Sequence, residues 1–546
     1  MANANGTTMG VQMQHITPNA SSPSPAPSVT PTSTVDDDTG SWLCEKGSDY
    51  QQYIAALAGS NPGLRAPDPA HKNNQLTNGN ATVVLLEASG TGKPRFKRQQ
   101  FKHIADLKRH LASTDDKHDK RRIYIMEGLA PDFISVLGGH FWMDPWFFQG
   151  QERSCVWSSE FTPASDMLPQ PSVLQPEKAF RLQYCELRQF PKTMPNVPFF
   201  CWRTNRHVGM TPPRKAEKST VAILRRKIAF WSRQTEGNKG WDAIILCDPQ
   251  LGELNNKGSK LEIDNDSFQD GYIDFLPPPT PQQARTKPKH PHHSVLKDLC
   301  HYFENHADAL KDDEWKKPIT ASFFLKKIVI GHSMQLIDYI KAMLPSLELH
   351  LTTAWVDEQD QWKSLQTISR RCGNYRDDME DTLLSIGVSL DEPKSTRIRD
   401  WRDVDQDFQY IYMRLKVLKN RADTLMSAMT GLASIAGNRQ NLEEAKRVKR
   451  LNLLALVFIP LAYTSSLFSM QDSYAPGNGQ FWVYWVSALL LVLFTFFVTW
   501  VLDTALDDAA QWTLRPLRWL KFWGWGRKLE AYVPQPKPKR TKTIYG

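Results

Sequence analysis

A chain of 546 residues with a formal charge of +9 is long for one domain, and its mean hydropathy of −0.47 is that of a mostly water-soluble protein. Any membrane-embedded part therefore carries a large soluble body. The seven cysteines, at positions 44, 155, 185, 201, 247, 300 and 372, are odd in number and never form a CxxC pair. That suggests neither a disulfide framework nor a zinc knuckle, and points to reduced thiols in a cytosolic body.

Residues 1–40 contain no Lys or Arg and no apolar run, and a Ser/Thr/Pro-rich tract from Ser21 to Pro31 is followed by Asp36, Asp37 and Asp38. A disordered tail is expected. It has neither the basic start and apolar core of a secretory signal nor the arginines of a mitochondrial presequence, so targeting is expected to come from later segments. From Ser41 the chain turns globular, with strand-like runs at Thr82–Glu87, Ile123–Glu127, Arg181–Leu187, Val221–Ile228 and Trp241–Cys247. A helix is expected to start at Pro131-Asp132, because proline suits a first turn and an acid suits the dipole there. Strands come early and helices late, which predicts a mixed sheet covered by helices, an α/β or α+β body.

The tract from Pro277 to His293 is proline-rich and basic and reads as an exposed loop. Helices are expected near Val295–Leu310 and Ile319–Leu344. Trp362, Leu365, Ile368, Cys372, Tyr375 and Met379 then repeat at threes and fours, as do Phe408, Ile411, Leu415, Leu418, Ala422, Leu425, Met429 and Leu432. These two heptad seams predict an antiparallel helical stalk closed by a turn around Asp391-Glu392-Pro393. No proline interrupts Trp401–Ile459, so the second seam runs directly into the apolar segment Leu451–Met470. After a polar loop follows a second apolar segment, Phe481–Leu502. Each is about 20 residues long, the length of a helix crossing a hydrocarbon core of ~30 Å.

Lys446, Arg447, Lys449 and Arg450 stand directly against the first span, and Arg515, Arg518, Lys521, Arg527, Lys528, Lys537, Lys539, Arg540 and Lys542 follow the second. The connecting loop carries no Lys or Arg. Both termini are thus expected in the cytosol, in a multi-pass protein with the loop Gln471–Gln480 outside, and the basic clusters mark topology rather than nucleic-acid binding. Trp482, Tyr484 and Trp485 would lie at the outer interface and Trp500 at the inner one. Trp512, Trp519, Trp523 and Trp525, interleaved with basic residues, suggest a tail lying along the inner membrane surface or packed on the stalk. The organisation expected is a tail (1–40), a body (41–350) with the loop 277–293, a stalk (351–450), a membrane hairpin (451–502) and a basic aromatic tail (503–546).

Two chemical motifs fail on inspection. His290, His292, His293, Cys300, His301 and His306 are zinc-ligand types, but their spacing fits no closed site. Gly90-Thr91-Gly92-Lys93 resembles the end of a phosphate loop, yet Glu87 stands where the first glycine belongs and Pro94 where Ser/Thr belongs, so a turn between strands is the better reading. With no nucleophile–base pair, metal triad or cofactor motif, an enzyme is not expected.

The run Pro460-Leu461-Ala462-Tyr463-Thr464-Ser465-Ser466-Leu467-Phe468-Ser469-Met470-Gln471 resembles the Pro-Leu-Thr-Phe run ending in Gly-Met-Asn of the CorA family of divalent-cation channels, including its ZntB branch. The order of elements over residues 400–502 matches that family, and Gly128–Phe148 is similar to the fungal CorA-like type. The resemblance implies a homopentameric channel or transporter for Mg²⁺, Zn²⁺ or a related divalent cation. In it a large cytosolic domain senses the ion, and the pore mouth is at Ser469, Met470 and Gln471. Here Ser469 and Gln471 replace the family's Gly and Asn, Ala462 falls where the family has threonine, and Ala445 where it has asparagine deeper in the pore. The residues themselves supply a stripe at steps of three and four: Ala445, Val448, Asn452, Ala455, Ile459, Ala462, Ser466 and Ser469. Small residues let identical helices approach, so this side either lines a central axis or packs on the second span. No carboxylate lies on it, so an ion would pass largely hydrated, with Val448, Leu451 and Ile459 closing the pore by dewetting. A CorA-derived scaffold or sensor that no longer conducts is the alternative.

Overall fold

The computed structural model describes residues 38–68, 81–90, 92–114, 118–153, 170–195, 197–211, 218–237, 240–256, 259–277, 280, 292, 294–349, 355–391, 400–469 and 477–509. The N-terminal tail before Asp38, most of the proline-rich loop, the turn residues Glu392 and Pro393, the mouth residues Met470 and Gln471, and the aromatic tail after Ala509 lie outside these residues. The chain divides into two compact units, 1–430 and 431–546.

The first unit is built on a mixed sheet of eleven described strands: β1 (Thr82–Ser89), β2 (Lys97–Phe101), β3 (Lys120–Glu127), β4 (Ala179–Phe190), β5 (Phe199–Cys201), β6 (His207–Met210), β7 (Thr220–Gln234), β8 (Trp241–Cys247), β9 (Glu253–Asn256), β10 (Ser259–Glu262) and β11 (Asp266–Ser267). The main path runs β10-β9-β5-β6-β7-β8-β3-β1-β2, while β4 pairs with β7 and β11. Only β3 and β8 pair in parallel among the described strands, with Ile123 opposite Ala243 and Ile125 opposite Ile245. All five strands read from the sequence are present, and β7 is the hub, pairing with β4, β6 and β8.

Period-two alternation assigns the two faces. Val83 and Leu85 of β1 join Tyr124, Met126, Ile244 and Leu246 in one core, whereas Val84 and Leu86 join Ile123, Ile125 and Ile245 in another. Both faces are apolar because both are covered. The first core is closed by α1 (Asp49–Ala58), α2 (Ile104–Ala112), α3 (Pro131–Phe141) and α4 (Trp146–Glu152). Proline stands at the first position of α3, as expected, and Gly138 lets α3 approach α1: a Cβ there would come within 2.4 Å of the Tyr50 ring. Gly90, Gly92 and Lys93 lie between β1 and β2, with Gly92 at φ +73°, as a connection between two strands requires; Thr91 lies outside the described residues.

The second core joins the sheet to α5 (Val295–His306), α6 (Phe323–Leu349), α7 (Trp355–Ser385) and the start of α8 (Val404–Phe468). Helix α5 is shorter than expected, giving way to a 3₁₀ turn at Ala307–Ala309, and α6 begins after a 3₁₀ turn at Pro318–Ser322. The two seams are where the heptads place them, with Leu365, Cys372, Tyr375 and Met379 on α7 against Phe408, Ile411, Leu415, Leu418, Ala422, Leu425 and Met429 on α8, all buried. Ser369 meets Asp423 and Gly373 meets Lys419, so α7 and α8 run antiparallel. Leu432, the last residue of the expected seam, is instead 36 % exposed.

Candidate functional site

Helix α8 starts on local electrostatics. Asp403 is its N-cap, its Oδ1 accepting from the Gln406 backbone N–H at 3.2 Å, and Asp405 and Asp407 place negative charge in the first turn. Sixty-five residues at ~1.5 Å rise make a rod of about 100 Å, continuous to Phe468. Nearly every residue from 431 to 450 is exposed, including Lys446, Arg447, Lys449 and Arg450.

The second unit holds the rest of α8 and helix α9 (Phe481–Ala509). Within α8 and over Phe481–Val501 the chain has two helices long and apolar enough to cross a membrane. They touch through a narrow face: Pro460, Thr464 (4 % exposed) and Ala488 (1 %) are buried, and the Phe468 and Tyr484 rings meet edge-to-face at 5.7 Å. The Thr464 hydroxyl donates to the Pro460 carbonyl at 3.1 Å, which keeps its polar group satisfied inside this contact.

The small-residue side of α8 is elsewhere. Ala445, Val448, Leu451, Asn452, Ala455, Ile459, Ala462, Ser466 and Ser469 are all exposed, with Val448 at 53 %, Leu451 at 65 % and Ile459 at 67 %. At about 100° per residue this side points roughly opposite to the Pro460–Thr464 face. Of the two readings left open by the sequence, packing against the second span is therefore not what these residues do in the chain. Ser469 closes the helix, its N–H donating to the Ser465 carbonyl at 3.0 Å. Trp482, Trp485 and Trp500 are exposed, as interface anchors require, whereas Tyr484 is half-buried against Phe468.

Of the histidine-rich segment, His290 and His293 lie outside the described residues. His292 is buried, its Nδ1 lying 3.2 Å from Asp298 Oδ2, and it stacks on Tyr272, whose hydroxyl donates to the same carboxylate at 2.9 Å. Cys300 is buried too, and burial pushes its thiol up to about 12. His301 and His306 contact each other on α5. Among the described residues no three His, Cys, Asp or Glu side chains are placed to hold a metal ion.

Sequence reasoning missed the buried ionic groups of the body, several of whose partners (Arg226 for Glu186, Asp248 for Arg206, Asp407 for Lys327) are distant in the chain. Glu186 sits between Arg188 (2.5 Å) and Arg226 (2.8 Å); burial works to raise its pKa, but the two guanidiniums prevail and hold it near 2. Burial pushes His332 down to about 4 where it stacks on Tyr184. Burial pushes Glu152 up to about 7, although Arg153 and the Asp68 backbone N–H work against it. Glu152 lines a cavity at the carboxyl ends of β3 and β8, together with Gln151, Arg206 and Asp248. There Arg206 clasps Asp248 with two hydrogen bonds of 2.5 and 2.8 Å. Lys327 of α6 pairs with Asp407 of α8 at 2.6 Å.

A mixed-sheet body, one very long helix with an apolar end and a second apolar helix define the class: a large folded body carrying two candidate membrane spans. Residues 298–503 match the model of the CorA-like Mg²⁺ transporter protein family, so the resemblance carried by Pro460–Gln471 extends from α5 through both apolar helices. No curated protein matches the chain. Among solved structures, the full-length CmaX protein is 12 % identical, with a TM-score of 0.34 over 78 % of this chain and 98 % of that one. The CorA magnesium transporter from Methanocaldococcus jannaschii is 10 % identical, with a TM-score of 0.30 over 76 % and 96 %.

Proposed function

We propose that the protein is a homo-oligomeric membrane channel or transporter for divalent cations, with a cytosolic body that senses the ion and both termini in the cytosol. One observation carries this: the small-residue side of α8 is exposed along its whole apolar length, on the side away from α9. Two helices cannot enclose a pore, but copies arranged about an axis bring such a side together, and a heterologous ring closes the contact. The family match over residues 298–503 supports this reading, and the resemblance implies five copies. Val448, Leu451 and Ile459 would be the dewetting constrictions, Ala445, Asn452, Ala455, Ala462 and Ser466 the remaining lining, and Ser469, Met470 and Gln471 the mouth. The body (41–350), stalk (351–450) and hairpin (451–502) then act as sensor, lever and pore.

Because Gln471 would present its amide one methylene further from the backbone than the family asparagine, discrimination among divalent ions is expected to be broad. The purified protein in liposomes is therefore expected to take up Mg²⁺, Zn²⁺, Co²⁺ and Ni²⁺ at comparable rates. An assembled protein that passes none of them overturns the reading. It would favour a non-conducting scaffold, to which the replacement of Gly, Asn and Thr by Ser469, Gln471 and Ala462 also points.

A further inference from the structure

The root of α8 is held against α6 by charge as well as by its apolar seam. The Lys327 ammonium is 2.6 Å from Asp407 Oδ2, with the lysine side chain 4 % and the aspartate 35 % exposed. It lies 5.9 Å from the centre of the Phe323 ring, and Phe323 meets Trp401 edge-to-face at 5.6 Å just before α8 begins. One residue earlier, Lys326 lies over the Phe180 ring of β4 at 5.0 Å, and Asp405 is the acid acting on it. Two lysines of α6 thus face two acids in the first turn of α8. Further along, Arg421 and Glu348 pair at 2.8 Å, but both are exposed, and such a pair fixes little.

A buried ammonium is costly, and an apolar side chain of similar volume holds two helices together as well or better. What an apolar seam does poorly is fix register. Leucine-for-leucine sliding by one turn, ~5.4 Å, keeps a heptad satisfied, whereas a single buried charge with one carboxylate in reach permits one alignment. We infer that Lys327 is a positioning residue that sets the axial register of α8 against the body, through its ion pair with Asp407. Asp407 lies in the first turn of α8, the helix whose apolar end carries the proposed pore-lining side. The consequence for ion flux rests on the transport function proposed above; the register itself does not.

The test replaces the pair by an apolar one, Lys327→Met with Asp407→Leu, in the full-length protein. Register is read by a short bismaleimide joining cysteines placed at the exposed positions Glu348 and Arg421. The apolar pair is expected to retain the parent's thermal transition and native mass while crosslinking falls at least fivefold and divalent-cation uptake falls with it. The exchange Lys327→Asp with Asp407→Lys, which keeps a pair, is expected to recover both. Undiminished crosslinking in a folded apolar variant overturns the inference. If the parent passes no ion, the transport reading has failed and crosslinking alone still decides the register. Should the apolar pair not fold, Asp407→Glu, one methylene longer with the charge kept, is expected to lower crosslinking in a folded protein, and an unchanged yield overturns the inference equally.

Discussion

Helix α8 is two different objects on one backbone. From Val404 to Thr430 it presents a heptad seam, Phe408 to Met429, that is satisfied inside the chain by α7 and α6. From Gly431 to Phe468 the same helix is exposed almost all round among the described residues, apart from its face on α9. The first half is explained by the folding of one chain. The second is not: Leu442, Val448 and Ile459 stand in the open among the described residues, and the proposal above covers them with lipid on one side and further copies on the other.

Substitution at equivalent apolar positions sharpens this contrast. Phe408 is fully buried, and Phe408→Ala is expected to cost about 3–5 kcal/mol, seen as a large fall in the thermal transition of the body. Ile459→Ala should leave that transition within the error of about 0.5 kcal/mol typical of exposed sites while raising ion leak through the purified protein. Equal losses of stability at the two positions would erase the distinction.

Titration distinguishes groups inside the first unit. Glu152 has its pKa raised above the ordinary 4.5 to about 7, so its contribution is fully present below 4.5 and is lost as pH rises through 7. Glu152→Gln, which keeps the carbonyl that accepts the Asp68 N–H, is expected to raise the thermal transition at pH 8 and to change it little at pH 4.5. His332 and Glu186 act in the opposite sense. His332 is held down from 6.5 to about 4 and Glu186 from 4.5 to about 2, so the unfolded chain takes up protons first. Stability should fall as the pH drops from 6.5 to 4 and fall further below 4.5. His332→Phe, which retains the stacking on Tyr184 and the edge-on contact with Tyr272, should flatten the first of these slopes.

Smaller effects are expected on the exposed half of α8. A Cβ at Gly431 or Gly437 would meet nothing within 4 Å in the chain. Alanine at either position should therefore favour the helix by about 1 kcal/mol. If copies of α8 approach closely there, the same changes would loosen the assembly, which native mass measurement would detect. At the mouth, Ser469→Gly with Gln471→Asn is expected to narrow ion preference toward Mg²⁺, measured as relative uptake rates, with little effect on folding.

The strands legible in the sequence were those buried on both faces, such as Trp241–Cys247, where an apolar run leaves little choice. Edge strands were not: β2 reads Lys-Arg-Gln-Gln-Phe, and only Phe101 is buried, so no alternation marks it. Short β5, β6, β9 and β10 carry too few residues to show a period. The helices were legible because the 3.6-residue period persists over many turns, but the end of the seam was not. Leu432 continues the heptad but is exposed, which no local feature of the sequence marks. The candidate site was legible as a stripe, since spacing alone gathers Val448, Asn452, Ala455, Ile459 and Ala462 on one side of a helix. Its exposure was not legible, because the face that α9 covers depends on where Pro460, Thr464 and Ala488 meet. Nor was Lys327–Asp407, whose partners are 80 positions apart and carry no local signal.

The central claim, that the exposed side of α8 lines a path between copies, is tested most directly by cysteine accessibility. Ser466→Cys and, on the exposed surface of α9, Leu490→Cys would each be treated with a membrane-impermeant cationic thiol reagent during divalent-cation uptake into liposomes. The account predicts rapid modification and block at position 466 and neither at 490, where lipid excludes the reagent. Unhindered uptake after full modification of 466, or no reaction there in an assembled and conducting protein, would contradict it.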